Sequence, residues 1–193
     1  VSKISISAEA SIFFTKHGWV ELELDRDDLD ELIEKNALLK RDLWRSIPQL
    51  QKFLTRKLAP LALALSGKKQ LLLGFDQVFS EKEMPRNSCP LKEIISVQGL
   101  ALGIVFSKDP KQALRKTELG IVPMPSSEKR ILFFRPDIIL DFPHAKSDIY
   151  MALYVLPSAV YVQNGKDPDT NFLRKLGYNF GDVLKPSLNP MIM

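Results

Sequence analysis

The sequence predicts an α+β protein, in which one strand and two helices are followed by an antiparallel sandwich or barrel of about seven short strands. Three observations predict it. Between positions 25 and 67 apolar residues recur every three or four places, the spacing of helices with one buried face. From Gln70 onward the apolar runs are short and separated by Pro, Gly and polar clusters, which is the pattern of strands joined by turns. The densest run is 131–162, ILFFRPDIILDFPHAKSDIYMALYVLPSAVYV, cut by Pro136 and the polar corner Pro143–Asp148. Its three apolar pieces read as adjacent strands of one antiparallel sheet.

Taken in order, SIFFTKHGWV at Ser11–Val20 is an apolar opening that passes through His17-Gly18 into a strand at Trp19–Leu24. There Val20, Leu22 and Leu24 alternate with Glu21 and Glu23, as a half-buried strand requires. Asp25 is a good N-cap, with Asp27 and Asp28 in the first turn. Leu29, Leu32, Ile33, Leu39 and Leu43 predict a helix reaching about Arg45. Ser46 can cap a second helix with Pro48 in its first turn, and Leu50, Phe53, Leu54, Lys57, Leu58, Leu61 and Leu65 keep the three-to-four spacing of one face. Pro60 should kink or break it, and Gly67 should end it.

Gln70–Phe79, QLLLGFDQVF, predicts a strand whose apolar run is interrupted by Asp76 and Gln77. Ser80–Pro90 reads as a polar loop. In SVQGLALGIVF, within Ile94–Phe106, Gly99 and Gly103 point to a bulge or a close backbone approach inside a strand. Asp109-Pro110 can cap a short basic helical segment running to Glu118. Leu119–Met124 reads as another strand. After the central block, Asn164–Asp169 is a loop, Thr170–Lys175 a helical turn, and the remainder an irregular tail.

The chain of 193 residues is expected to form one domain, 1–193, with a sizeable core. Its 45% hydrophobic and 26% charged residues are ordinary for a globular protein. No apolar run approaches the roughly 18–20 residues of a membrane span. No signal-peptide pattern is seen, and the single cysteine, Cys89, excludes an internal disulfide and a cysteine-based metal cluster. Both suit a reducing, cytoplasmic setting. The net charge of +4 permits an acidic or phosphate-bearing partner without arguing for one.

Candidate chemistry is sparse. Lys52, Arg56, Lys57, Lys68 and Lys69 lie in a stretch without an acidic residue. They could contact nucleic acid, but no aromatic platform or recognition-helix pattern accompanies them, so an exposed helix face is preferred. Cys89 has Arg86 nearby but no identifiable histidine partner, so it is taken as structural. Asp76 and Gln77 could orient a ligand or simply hold a strand end. His144, with Asp141 or Asp148, could form a weak open metal site, whereas His17 reads as a turn residue. The sequence contains no P-loop, no Rossmann glycine pattern and no G-x-S-x-G elbow.

In the order of its parts the chain resembles the phytanoyl-CoA dioxygenase-like branch of the Fe(II)/2-oxoglutarate oxygenases. FFTKHGWVELE followed by an acidic-capped helix is similar to that family's opening, GLALGIVFSKDP to a core strand and turn, and ILFFRPDIILDFPHAKSDIYMALYV to its later core strands. The resemblance implies a jelly-roll double-stranded β-helix, cupin-like, with the N-terminal helices packed on one face. It also implies Fe(II) held by His-x-Asp or His-x-Glu and a later histidine, with an arginine pairing the far carboxylate of 2-oxoglutarate.

Those ligands are not recognisable here. His17 is followed two places on by Trp19 and His144 by Lys146, while Ser80–Glu93 holds no histidine. The distal-histidine position falls near Leu140 and the arginine position near Tyr150. The expectation is therefore an oxygenase-like protein with no metal, cofactor or catalytic residue assigned, acting as a binding or regulatory scaffold. Asp76, Gln77 and His144 are the pocket candidates. The alternatives are a divergent Fe(II)/2-oxoglutarate hydroxylase and a metal-responsive nucleic-acid binder using Lys52, Arg56 and Lys57.

Overall fold

A computed structural model describes residues 6–25, 29–36, 41–79, 90–107, 114–117, 120–123, 129–141 and 149–193. Its helices come first: α1 (Ala8–His17), α2 (Leu29–Asn36), α3 (Leu43–Ser46), α4 (Pro48–Lys52), a π-helical segment Phe53–Leu58 and α5 (Ala59–Ser66), with β1 (Trp19–Glu23) between α1 and α2. The strands follow: β2 (Leu71–Phe79), β3 (Val97–Ser107), β4 (Leu114–Thr117), β5 (Gly120–Pro123), β6 (Arg130–Phe134), β7 (Leu140–Asp141), β8 (Ile149–Tyr161) and β9 (Met191–Ile192), with a short α6 (Leu91–Ile94) before β3. A six-stranded sheet has the order β1-β6-β3-β8-β2-β9, with its strands paired antiparallel. A three-stranded sheet has the order β5-β4-β7. This is the α+β, double-stranded β-helix architecture, with the main sheet as a curled half-barrel. Among the described residues no helix is long and apolar enough to cross a membrane.

β8 decides how the main sheet is built. Its residues alternate between two buried clusters, Tyr150, Ala152 and Tyr154 on one face and Ile149, Met151, Leu153 and Val155 on the other. A strand apolar on both faces belongs in a sheet centre, and β8 sits between β3 and β2. The three pieces of 131–162 are therefore not neighbours. β3 separates β6 from β8, and β7 leaves for the second sheet, where it pairs with β4.

The helices cover one face of the main sheet. Leu43, Leu50, Leu54, Leu58 and Leu61 join Leu73, Ile104, Phe133 and Tyr154 in the first cluster. As expected, Gly67 ends this layer in the left-handed conformation at φ 65°. Pro60 does not break the helix. It stands in the first turn of α5, directly after the π-helical segment, whose wider turn relieves the clash that a proline ring makes with the carbonyl four residues back.

Four further local expectations change. Ser11–His17 belongs to a helix, α1, started by the Ser7 hydroxyl accepting the Ala10 N–H at 3.1 Å and anchored by buried Phe14. The helix from Leu29 does not run to Arg45, because Arg41 bridges to Gln77 on β2 and Asp42 turns left-handed at φ 63°. Ser46 closes α3, and Ile47 occupies the N-cap position of α4. The basic stretch before Glu118 forms strand β4, not a helix, because β5 pairs with it across the short connection to Gly120. Asp109 and Pro110, like Asp27, Asp28 and Cys89, lie outside the described residues.

The glycine expectations for β3 hold. The pairing of β3 with β8 slips on both sides of Leu100, and Gly99 adopts φ 92° with its α-carbon face against Ala159. A Cβ on Gly103 would lie 2.2 Å from the Phe134 ring. Only a bare backbone lets that ring lie across the strand.

Candidate functional site

The polar interruption in β2 opens onto two separate networks. A register shift between Leu73 and Asp76 turns Asp76 toward the helices, and alternation sends Gln77 to the opposite face. These two pocket candidates, adjacent in sequence, are therefore not brought together.

Asp76 is fully buried. Its Oδ2 accepts the Tyr150 hydroxyl at 2.6 Å and the Trp44 backbone N–H at 3.0 Å, and its carbonyl accepts the Asp42 N–H at 2.9 Å. Asp76 thus caps α3 from across the structure, which Asp42 does not do with its own side chain. Burial pushes the Asp76 carboxyl up to about 7, against the opposing effect of the Tyr150 bond, and nearby Asp42 adds to the rise. Burial, then the Asp76 charge, holds the Tyr150 phenol well above its ordinary range. Tyr154, on the same face, donates to the Leu54 carbonyl at 2.8 Å and so ties β8 to the π-helical segment.

Gln77 Oε1 accepts from Arg41 Nε and Nη2 at 3.0 and 2.7 Å. Arg41 Nη2 also reaches Asp167 Oδ1 at 3.1 Å, and Nη1 reaches the Asp169 carbonyl at 3.2 Å. The guanidinium lies 4.8 and 4.4 Å from the Phe75 and Phe172 ring centroids. Asp167 accepts in addition the backbone N–H groups of Ser96 and Asp169. With side chains 6% and 0% exposed, this ion pair clamps the loop after β8 onto the sheet. Sequence reasoning passed over it, since nothing near Arg41 announces a partner 126 residues away.

The other candidates are dispersed. His144, Asp148 and the side chain of Asp141 lie outside what is described. His17 ends α1, its ring 4.4 Å from that of Phe13, which meets Trp19 edge-on. Lys52, Arg56, Lys68 and Lys69 are exposed, whereas Lys57 is half-buried, donating to the Asp25 carbonyl above the Phe53 ring.

Comparison with solved structures agrees with the architecture. The chain is similar to the non-heme alpha ketoglutarate dependent carbocyclase SnoK from nogalamycin biosynthesis, with a TM-score of 0.73, 15% identity and 97% of each chain covered. It is similar to EctD from S. alaskensis with bound Fe, with a TM-score of 0.61, 13% identity, and 93% of this chain and 87% of that one covered. It also resembles CT296 from Chlamydia trachomatis, with a TM-score of 0.52, 15% identity, and 80% and 98% covered. Identities this low establish a shared fold, that of the Fe(II)/2-oxoglutarate oxygenases, and nothing finer. No protein-family model and no curated protein matches the sequence.

The fold thus raises the question of iron, although residues 80–89 and the side chain of Leu140, where the resemblance places iron ligands, lie outside the described residues. On the sheet face opposite the helices, Phe79, Val105, Leu132, Phe134, Ile149 and Met151 come from four neighbouring strands and are at most 4% exposed. Iron of this class needs imidazole and carboxylate donors on an open face, and these packed hydrocarbon, aromatic and thioether side chains supply none. Among the described residues no group of three or more His, Cys, Asp or Glu could hold a metal ion. Tyr150, at the position the resemblance assigns to the 2-oxoglutarate arginine, faces the helices and bonds Asp76.

Proposed function

We propose that residues 1–193 form one oxygenase-like domain that acts as a binding or regulatory scaffold and does not perform iron- and 2-oxoglutarate-dependent oxidation. One observation carries this: the six close-packed apolar side chains from Phe79 to Met151 on the face opposite the helices. Any ligand-bearing imidazole or carboxylate placed there would have to displace packed side chains and lose its hydration. A fold of this kind persists after its chemistry is lost, because barrel packing and catalysis rest on different residues. The single cysteine suits a reducing compartment, and a cytoplasmic setting is part of the proposal.

Anaerobic calorimetric titration of metal-free protein with Mn(II), with and without 2-oxoglutarate, tests it. The expected result is no stoichiometric heat and no change of melting temperature at millimolar metal. One-to-one micromolar binding that 2-oxoglutarate strengthens would sink the scaffold reading.

A second reading is favoured by the 97% overlap with SnoK: a divergent Fe(II)/2-oxoglutarate-dependent hydroxylase whose metal binding involves His144. It requires that metal binding be measurable and be lost in His144→Ala.

A further inference from the structure

We propose that Asp42 and Asp76 form a charge-coupled pair of buried carboxyl groups whose protonation state sets how α3 is seated on the main sheet. The two residues meet where the chain before α3 crosses β2, joined by the Asp42 N–H to Asp76 carbonyl bond at 2.9 Å. Each carboxyl group is tied by one oxygen only. Asp42 Oδ2 takes Arg45 Nε at 3.1 Å, and Asp76 Oδ2 takes Tyr150 and Trp44. The other oxygen of each, Oδ1, is buried and has no hydrogen-bond partner. Two donors of the same segment, Arg45 Nη2 and Trp44 Nε1, are also buried and reach neither of them. A bare, buried carboxylate oxygen is costly, and a second one nearby makes the cost mutual. A proton on Asp76 removes one of the two charges.

The groups that face the pair pull both ways. Burial, the largest effect, and the charges of Asp42 and Asp169 favour the neutral forms. The Tyr150 and Trp44 bonds favour the charged form of Asp76, and Arg45 and Arg41 that of Asp42. Asp76 meets the Tyr150 hydroxyl from β8 and the charge of Asp42 from the segment before α3. Asp42 meets Arg45, Arg41 and Asp169. Arg41 is already engaged by Gln77, Asp167 and the Asp169 carbonyl, which leaves Arg45 as the nearer compensating charge. Burial raises both carboxyl groups, Asp76 to about 7.

The sign follows from linkage. The folded protein binds the Asp76 proton more tightly than the unfolded chain, whose carboxyl has its ordinary value of 3.8. The stabilisation is therefore full at low pH and is lost as pH rises through about 7. Ionisation then places two negative charges behind α3. Arg41, just before α3, and Arg45, within it, hold Asp167 and the Leu188 carbonyl, so a loosened α3 also loosens the loop after β8 and the chain at Leu188.

The test follows the Asp76 side-chain carboxyl by carbon NMR in the full chain from about pH 5 to about pH 9, together with hydrogen exchange at the Trp44 amide. Asp76 is expected to titrate near 7, with Trp44 protection falling about tenfold or more, after correction for intrinsic exchange, across the same interval. Asp42→Asn should move the Asp76 midpoint down by about one pH unit. Asp76→Asn should leave Trp44 protection independent of pH. An Asp76 midpoint below about 5, or one that Asp42→Asn does not move, overturns the proposal. So does a Trp44 amide whose protection ignores the titration, and this can be read in the unmutated protein even if a variant does not fold.

Discussion

On the helix-covered face of the main sheet, Asp76, Tyr150 and Tyr154 sit inside a hydrocarbon core and bond to Trp44 and Leu54 of the helix layer. On the opposite face the neighbouring strand positions carry Phe79, Ile149, Met151 and Leu153. Its buried polar pair, Arg41 with Asp167, lies further along and holds the loop after β8. Polar groups on both faces are thus spent on attaching one layer or segment to another. Set side by side, the opposite face is held by hydrocarbon contact, whereas the helix face is tied to its neighbouring layer by buried hydrogen bonds.

That contrast can be broken most forcefully at Arg41. Arg41→Ala leaves the Asp167 charge buried without its partner and should cost about 3–5 kcal/mol, measured by urea unfolding. A cost near that of a surface substitution would mean the clamp does not hold the loop. Next in size is the Gly103 contact. Gly103→Ala drives a methyl group into the Phe134 ring and should destabilise by about 1–3 kcal/mol. Phe134→Leu in the same chain should return part of that loss, and a cycle with no coupling would show that the face is not packed as described.

On the helix face, Tyr150→Phe removes one bond to Asp76 and should cost about 1–3 kcal/mol at a pH where Asp76 is ionised, and less where it is protonated. An equal loss at both would separate Tyr150 from the Asp76 charge. The smallest effect is expected on the exposed helix stripe. Changing Lys52, Arg56 and Lys57 to Glu should leave nucleic-acid binding as weak as before at physiological salt. A steep salt dependence that the triple change abolishes would revive the nucleic-acid reading.

Much of the fold was legible wherever short-range rules decide it. Gly67 stops α5, Gly99 and Gly103 mark the irregular crossings of β3, and the alternation at Val20–Leu24 announces β1. The candidate site was legible only in part. Asp76 and Gln77 drew notice because two polar residues interrupt an apolar strand. Their destinations on opposite faces depend on a bulge that no local residue pattern specifies. Arg41 and Asp167 left no comparable mark.

The sequence by itself determined which stretches are strand or helix in most of the chain, where Pro and Gly punctuate them, and that no His-x-Asp or His-x-Glu pair exists in it. These follow from side-chain periodicity, backbone sterics and residue identity, which act within a few residues. Only the tertiary structure decided that β3 comes between β6 and β8, that the helix from Leu29 gives way before Asp42, and that Asp76 caps α3. Each of these depends on partners distant in sequence, whose pairing is set by burying two sheet faces at once and by giving buried polar groups their hydrogen bonds.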